Sequence, residues 1–485
     1  MESGKPLAIS HQGLFIMATI LQSNSRYNGD VSHLPSINAP LPAGAALYAD
    51  FANSMFVIQL ASGQVARSSD LTSILSFNRS SAATRIGKTG LIEYLTANQP
   101  AIDYHPMTGV CLGLRAEYAA TNRLAYSQNF SNAAGWTPTG IALTADDVIA
   151  PDGNLTATKI IEASDSTVSP RTLLANTTMV AAKDQPYTFS VWAKANTGKV
   201  LQIAAQGAVA STQYTNFDLA NGKIGKTTSQ ILQVSMEQYP NGWYRCAITI
   251  TPTGAVSPQF TLALVNSDSG AGALPSYQPS TVGSVWIWGA QAERRDGASS
   301  YIPTSGAEAQ RADDICTTSG TADFISSSNG TVLLTCVTSH SLQSISGQYN
   351  ALSCALVIDN AVEGAHLRLA YRLTTNNSGQ AQFASVPDAS GVSQSLEIPS
   401  MAPVRDSEQS AIFSYESAQL RLRLFDGFNW FGRTITGMPP TLSRLCFGRS
   451  YLGPNNWFNG HIKKVVYWPQ TLSEKDMEKS IGYLS

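Results

Sequence analysis

Three observations predict an all-β chain built from two β-sandwich domains behind a small β-rich module. Short runs alternate apolar and polar residues, as in "PYTFSVWAKA", where Tyr187, Phe189, Val191 and Ala193 interleave with Thr188, Ser190, Trp192 and Lys194. Gly, Asn and Pro punctuate these runs, and a helical period is almost absent. Charged residues make up only 13% of the 485 positions, their place being taken by Ser, Thr, Asn, Gln and Gly, which suit strands joined by turns.

Taken in order, residues 1–44 are rich in Pro, Ser and Asn and read as an extended docking segment, because each Pro removes a backbone donor and biases its predecessor away from helix. Within it "GLFIMATIL" reads as a strand or docking element rather than a signal peptide, since it lacks a strongly basic flank and a clear cleavage site. Residues 45–130 form the small module: "LYADFANSMFVIQL" and "LTSILSFNRS" are strand-like, and "IGKTGLI" is a turn where Gly87 and Gly90 permit positive φ. Residues 131–313 carry the first regular series, including "LQIAAQGAV", "TQYTNFDL", "GWYRCAITITP" and "GSVWIWGAQAE", and predict a β-sandwich. The polar stretch "TSGAEAQRADDICTTSG" reads as a connector. Residues 314–485 repeat the pattern and end on one helix at "SEKDMEKSI", with Ser473 as cap and Glu474 and Asp476 in the first turn, where negative charge suits the helix dipole.

Composition excludes several function classes. Lys plus Arg number 31 against 33 for Asp plus Glu, a formal charge of -2, so neither nucleic acid nor an anionic membrane is an expected partner. No apolar run approaches the roughly 20 residues needed to span a bilayer as a helix, and membrane insertion is not expected. The six cysteines are scattered without C-x-x-C, which predicts mostly reduced, buried thiols.

The densest gathering of chemically active residues is "AIDYHPMTGVCLGLRAEYAATNRL", which holds Asp103, His105, Cys111 and Glu117. Asp103 and His105 would project to one side of an extended segment and could offer two metal ligands, but Cys111 and Glu117 lie beyond the turn and nothing nearby supplies supporting ligands. The structural reading is therefore preferred: Pro106 and Gly109 shape a turn, the acids accept bonds from backbone or Arg, and Cys111 packs as a small apolar residue. No metal, cofactor or catalytic residue is expected. The chain has no G-x-S-x-G, H-E-x-x-H or phosphate-binding loop, and it is read as non-enzymatic.

For sugar binding, where an aromatic face stacks on a pyranose while polar neighbours bond its hydroxyls, the candidates are Trp192, Tyr214, Trp286, Trp430 and Trp457. Trp192 stands out because it shares a strand face with Ser190 and Lys194. Trp430 and Trp457 fall in "DGFNWFGR" and "LGPNNWFNG", which read as loops. Trp243 and Trp288 read as packing residues.

The run from "LYADF" to "NFSNAAGW" resembles a module found in many tailed-bacteriophage virion proteins. The pattern runs from a "DF" strand through "F-x-R-x-S-x-A-T" and a "G-L-I" hairpin to "D-Y-x-P-x-T-G" and "G-L-x-x-E-x-x-x-T-N". On it fall Asp50, Phe51, Phe77, Arg79, Ser81, Thr84, Gly90, Asp103, Tyr104, Pro106, Thr108, Gly109, Gly113, Leu114, Glu117, Thr121 and Asn122. Two departures are Ala101, where the family usually has Arg, and His105. "NGWYRCAITI" with "VWIWGAQAERRDGASSYIPTSG" resembles a carbohydrate-binding-like jelly roll, and "WFNGHIKKVVYWPQTLSEKDMEKSI" resembles the end of a concanavalin-like or laminin-G-like sandwich. The resemblance implies a virion protein, assembled in the host cytoplasm. It would be a tail fibre or spike that attaches to a host-surface glycan, touches other virion proteins and forms a homotrimer. A capsid decoration or head-fibre protein and a polysaccharide depolymerase are the alternatives.

Overall fold

Strand Leu47–Asp50 is buried along its whole length because both its edges are taken: Met55–Gln59 pairs on one side and the closing strand Gly460–Trp468 on the other. That pairing governs the architecture. The computed structural model describes residues 41–482 apart from positions 165–168, 178, 180–181, 208, 210, 255–256, 268–269, 319–322, 339–351, 361–365, 374–379, 388–392, 398–407, 420, 426–429, 438–440, 449–457 and 459. The docking segment expected over 1–44 therefore lies almost wholly outside the described residues, "GLFIMATIL" included.

The chain is all-β, as composition and alternation predict, with antiparallel pairing throughout the described strands. Two sandwiches dominate. The jelly roll consists of two six-stranded sheets between Trp136 and Glu293, packed over a core that includes Phe189, Ile203, Phe217, Ile248, Phe260 and Ile287. The second sandwich packs a ten-stranded sheet on a seven-stranded one around Leu334, Leu356, Phe413, Leu445 and Val465. The terminal helix Glu474–Gly482 follows, with the Asp476 amide donating to Ser473 Oγ over 3.2 Å and Met477 buried.

The separate module expected over 45–130 is instead divided among its neighbours. Strands Leu47–Asp50, Met55–Gln59, Val65–Ser68, Ile102–Tyr104 and Cys111–Ala116 belong to the ten-stranded sheet of the second sandwich, and Leu75–Asn78 is an edge of its seven-stranded sheet. Strands of three to six residues bury too little to stand alone, and their open edges are covered only by joining a larger sheet. The exception is the hairpin Ala83–Ile86 with Ile92–Leu95, closed by a Gly90 amide to Gly87 carbonyl bond of 2.9 Å. It lies on the outer face of a jelly-roll sheet, where Ile86 and Ile92 join Trp192, Trp243, Trp288, Tyr239 and Tyr301 in a second apolar cluster.

Gly113 marks how closely the segments meet. Its φ is +101°, and a Cβ there would lie 2.2 Å from the carbonyl oxygen of Ile462 in the closing strand. Only glycine permits both the conformation and that approach. The connector is also not a free linker, because Ala309–Arg311 pairs with Ala120–Asn122.

Candidate functional site

The stretch around Asp103 is the centre of a buried polar junction. Asp103 Oδ1 accepts from the Ile86 amide at 2.9 Å, while Oδ2 lies 2.8 Å from Arg115 Nη1 and 2.9 Å from His461 Nε2. Arg115 Nε is 3.1 Å from Glu117, Glu117 is 3.5 Å from Arg311, Arg311 is 3.6 Å from Asp314, and Asp314 is 3.0 Å from Arg79. Opposite charges thus alternate through six buried side chains drawn from segments as far apart as residues 79 and 314. Removing such charges from water is costly unless each is paired and hydrogen-bonded, which explains why the chain is continuous. Burial alone would raise the Glu117 carboxyl, yet Arg311, Arg115 and Arg295 hold it well below the usual range. At Asp314 burial dominates over Arg311 and Arg79, and that carboxyl is raised.

The other polar residues of the stretch are also committed to joining segments. Asn122 Nδ2 donates to the carbonyls of Ala290 and Ile302, and its Oδ1 accepts from the Ala292 amide. Thr84 Oγ1 donates to the Tyr301 carbonyl at 2.7 Å, and Ser81 Oγ accepts from the Ala312 amide at 2.8 Å. His105 and Asp103 do not converge on a metal: His105 Nδ1 accepts from the Met107 and Thr108 amides of its own turn, both at 3.2 Å. Among the described residues no group of three or more His, Cys, Asp or Glu side chains could hold a metal ion, and no helix is long and apolar enough to cross a membrane. Cys111 is half-buried rather than packed away, while Cys246, Cys316, Cys336 and Cys446 are buried.

Sequence reasoning finds Asp103 and Glu117 but misses Arg311, Asp314 and His461. Arg311 and Asp314 carry a signal, since "RADD" concentrates charge in a chain otherwise poor in it. His461 carries none, because only the sheet register brings it opposite Arg115.

The aromatic candidates separate sharply. Trp192 is fully buried, a correction to its expected exposure: the strand face it shares with Ser190 is covered by the 83–95 hairpin and Tyr301, and the Arg245 guanidinium sits 4.4 Å from its ring centroid. Tyr214 is likewise buried, its hydroxyl donating to the Ala271 carbonyl at 3.2 Å. Neither can serve as a surface platform. Trp430 is not in a loop but opens strand Trp430–Thr434, stacked on Phe425 at 4.6 Å with Nε1 donating to Glu478, which leaves it partly exposed. Trp457 lies outside the described residues. Trp243 and Trp288 are buried packing residues, as expected.

Trp286 remains. It is partly exposed on the outer face of the jelly roll, Nε1 donating to Asp147 Oδ2 at 2.7 Å, with Lys194 and Lys159 ammonium groups 5.5 and 6.0 Å from its ring centroid. Strand Ile141–Ile149 alongside is largely exposed. An aromatic edge, two ammonium donors and a carboxylate acceptor therefore share one accessible surface.

A cavity of about 500 Å³ also lies beneath the Asp103 turn. The jelly-roll strands Ile231–Tyr239 and Trp243–Ile250, the loop 297–300 and His461 of the closing strand wall it, and Pro106 and half-exposed Met107 stand at its rim.

No family model matches the chain, and no curated protein matches it. Among solved structures, the Ruminococcus gnavus IT-sialidase CBM40 is 13% identical with a TM-score of 0.26, over 32% of this chain and 83% of that one. Domains LG4-5 of the mouse laminin alpha1 chain are 11% identical with a TM-score of 0.21, over 76% and 89%. A leech intramolecular trans-sialidase is 13% identical with a TM-score of 0.25, over 32% and 24%. These likenesses are too distant to carry a functional argument, and the sandwich assignment rests on the sheet topology itself.

Proposed function

We propose that this chain is a non-enzymatic structural protein of a tailed-phage particle whose sandwiches hold a host-surface glycan. The observation that supports glycan contact is the Trp286 surface, where an accessible indole sits among Lys159, Lys194 and Asp147 on the outer jelly-roll sheet. Sugars are held by apolar contact with such rings and by hydrogen bonds from flanking polar groups. The virion assignment rests on the sequence resemblance around Asp103. Its polar residues being spent on the buried junction fits a module that works as a clasp rather than as a catalytic centre. Weak single contacts gain strength through many copies, and a homotrimer on the particle would supply them.

The test is adsorption of purified protein to host cells and to their extracted surface glycan. Wild-type binding that falls at least about tenfold in Trp286→Ala, without a change in melting temperature, supports the reading. Equal binding by both proteins sinks the Trp286 assignment, and release of shortened glycans would contradict a binding-only role. Labelled antibody on intact particles distinguishes tail from capsid.

A further inference from the structure

Lys159, Trp286 and Lys194 form one row across three neighbouring strands, because the register sets Trp286 of Ser284–Glu293 opposite Lys159 of Leu155–Glu162 on one side and Lys194 of Tyr187–Ala195 on the other. Ile160, Val285, Ile287 and Ala193 beside them belong to the inner core, so by alternation the row faces outward. All three side chains are partly exposed. Trp286 packs at the margin of the buried cluster that holds Trp192, Trp243 and Trp288, which fixes the indole before any ligand arrives.

The charges on this surface do not cancel. Lys159 Nζ is 3.9 Å from Asp147 Oδ2, the oxygen that also accepts from Trp286 Nε1. Lys194 Nζ lies 5.5 Å from the indole centroid, and among the described residues no carboxylate stands within ion-pair distance of it. One positive charge is therefore left uncompensated, and it stands over the ring against which a sugar would pack. A neutral sugar must displace that ammonium from the indole, whereas a sugar with an anionic substituent leaves it in place and pairs with it. Only 13% of the residues in the chain are charged, so two lysines on one indole are a concentration rather than background.

We propose that the Trp286 surface selects a sugar bearing a carboxylate or sulfate group, with the anion held by the Lys194 ammonium beside the indole. This names the ligand class for the glycan reading and rests on that reading. Asp147 works against the anion: its carboxylate neutralises Lys159 and leaves Lys194 as the residue that sets selectivity.

The experiment is ligand-observed NMR and calorimetry with methyl β-D-glucuronide and D-galactose 6-sulfate, each beside its uncharged counterpart, methyl β-D-glucoside or D-galactose. The proteins compared are wild type, Lys194→Gln, Lys194→Arg, Asp147→Asn and Trp286→Ala. Lys194 makes no ion pair, so Lys194→Gln should melt as wild type does. At low salt, at least one charged sugar should bind more tightly than its counterpart. Lys194→Gln should weaken that sugar by about two- to fivefold and leave the counterpart unaffected, and Lys194→Arg should restore it. Asp147→Asn removes the opposing charge and should tighten the charged sugar, a change of sign that a merely structural role would not give. Raising the salt to about 1 M, where the Debye length is about 3 Å, should close the gap between charged and uncharged sugar. Binding by the glucuronide alone or by the sulfate alone supports the proposal and names its anion. Two results overturn it: no charged sugar binding more tightly than its counterpart, or a charged sugar bound as well by Lys194→Gln as by wild type. If host glycan binds wild type and Lys194→Gln equally but not Trp286→Ala, the anionic assignment falls and the broader glycan reading stands. If host glycan does not bind wild type, both fall.

Discussion

His461 Nε2 lies 2.9 Å from Asp103 Oδ2, although 358 positions separate the two residues in the chain. Asp103 holds Arg115 with the same oxygen, so one carboxylate ties the strand it belongs to, Ile102–Tyr104, to its neighbouring strand and to the closing strand of the second sandwich. Asp103→Asn keeps the shape and the bond from the Ile86 amide but deprives Arg115 of one of its two carboxylate partners, leaving Glu117. Breaking a buried pair from one side costs about 3–5 kcal/mol, so the urea midpoint should fall markedly. An unchanged midpoint would show that the junction is not held by this charge.

Trp192 and Trp286 give opposite expectations although both stand on the same jelly-roll sheet. Trp192→Ala removes a fully buried ring packed on Trp288, Tyr239 and Tyr301, at a cost of about 3–5 kcal/mol, and should give poorly soluble or unfolded protein. Trp286→Ala should melt within a few degrees of wild type. Circular dichroism on heating separates the two.

Gly113→Ala should be more damaging than its single methyl suggests. The left-handed φ of +101° and the 2.2 Å approach to the Ile462 carbonyl together predict a loss of at least about 2 kcal/mol. The local loosening should appear as faster amide hydrogen exchange in strands Cys111–Ala116 and Gly460–Trp468.

Two neighbouring carboxyls should respond to acid with opposite signs. Glu117 is depressed in the folded state, so its contribution is present above the unfolded value of about 4.3 and is lost only as pH falls through the folded value. The stability gap between wild type and Glu117→Gln should hold constant from pH 8 to about 5 and narrow only below about pH 4. Asp314 is raised, so its contribution is full below the unfolded value of about 3.9 and declines as pH rises through the folded value. Asp314→Asn should therefore cost less at pH 7 than near pH 4. Chemical denaturation across that range checks both, and gaps that move in the same direction would contradict the assignment.

The all-β class was legible because a strand advertises itself locally, through alternation and punctuating Gly and Pro. Which strands share a sheet was not, because Leu47–Asp50 and Gly460–Trp468 carry no mark of each other. Trp192 shows the same limit at the level of one residue. Its alternation with Phe189 and Val191 correctly places it on the other face of the strand, but that face is covered by a hairpin from another segment. The acids of the junction could be singled out by residue type, whereas His461 became visible only once register set it beside them.

The pairing of Leu47–Asp50 with Gly460–Trp468 bears on the order of events during synthesis. The earlier strand leaves the ribosome about 410 positions before its partner, and domains generally fold as they emerge. The jelly roll, whose strands lie between residues 136 and 293, can close first, while the early strand waits with one edge open. Completion of the second sandwich then depends on the last strand arriving, so a chain stopped short of residue 460 would keep an open, adhesive edge and be marked out for aggregation or proteolysis.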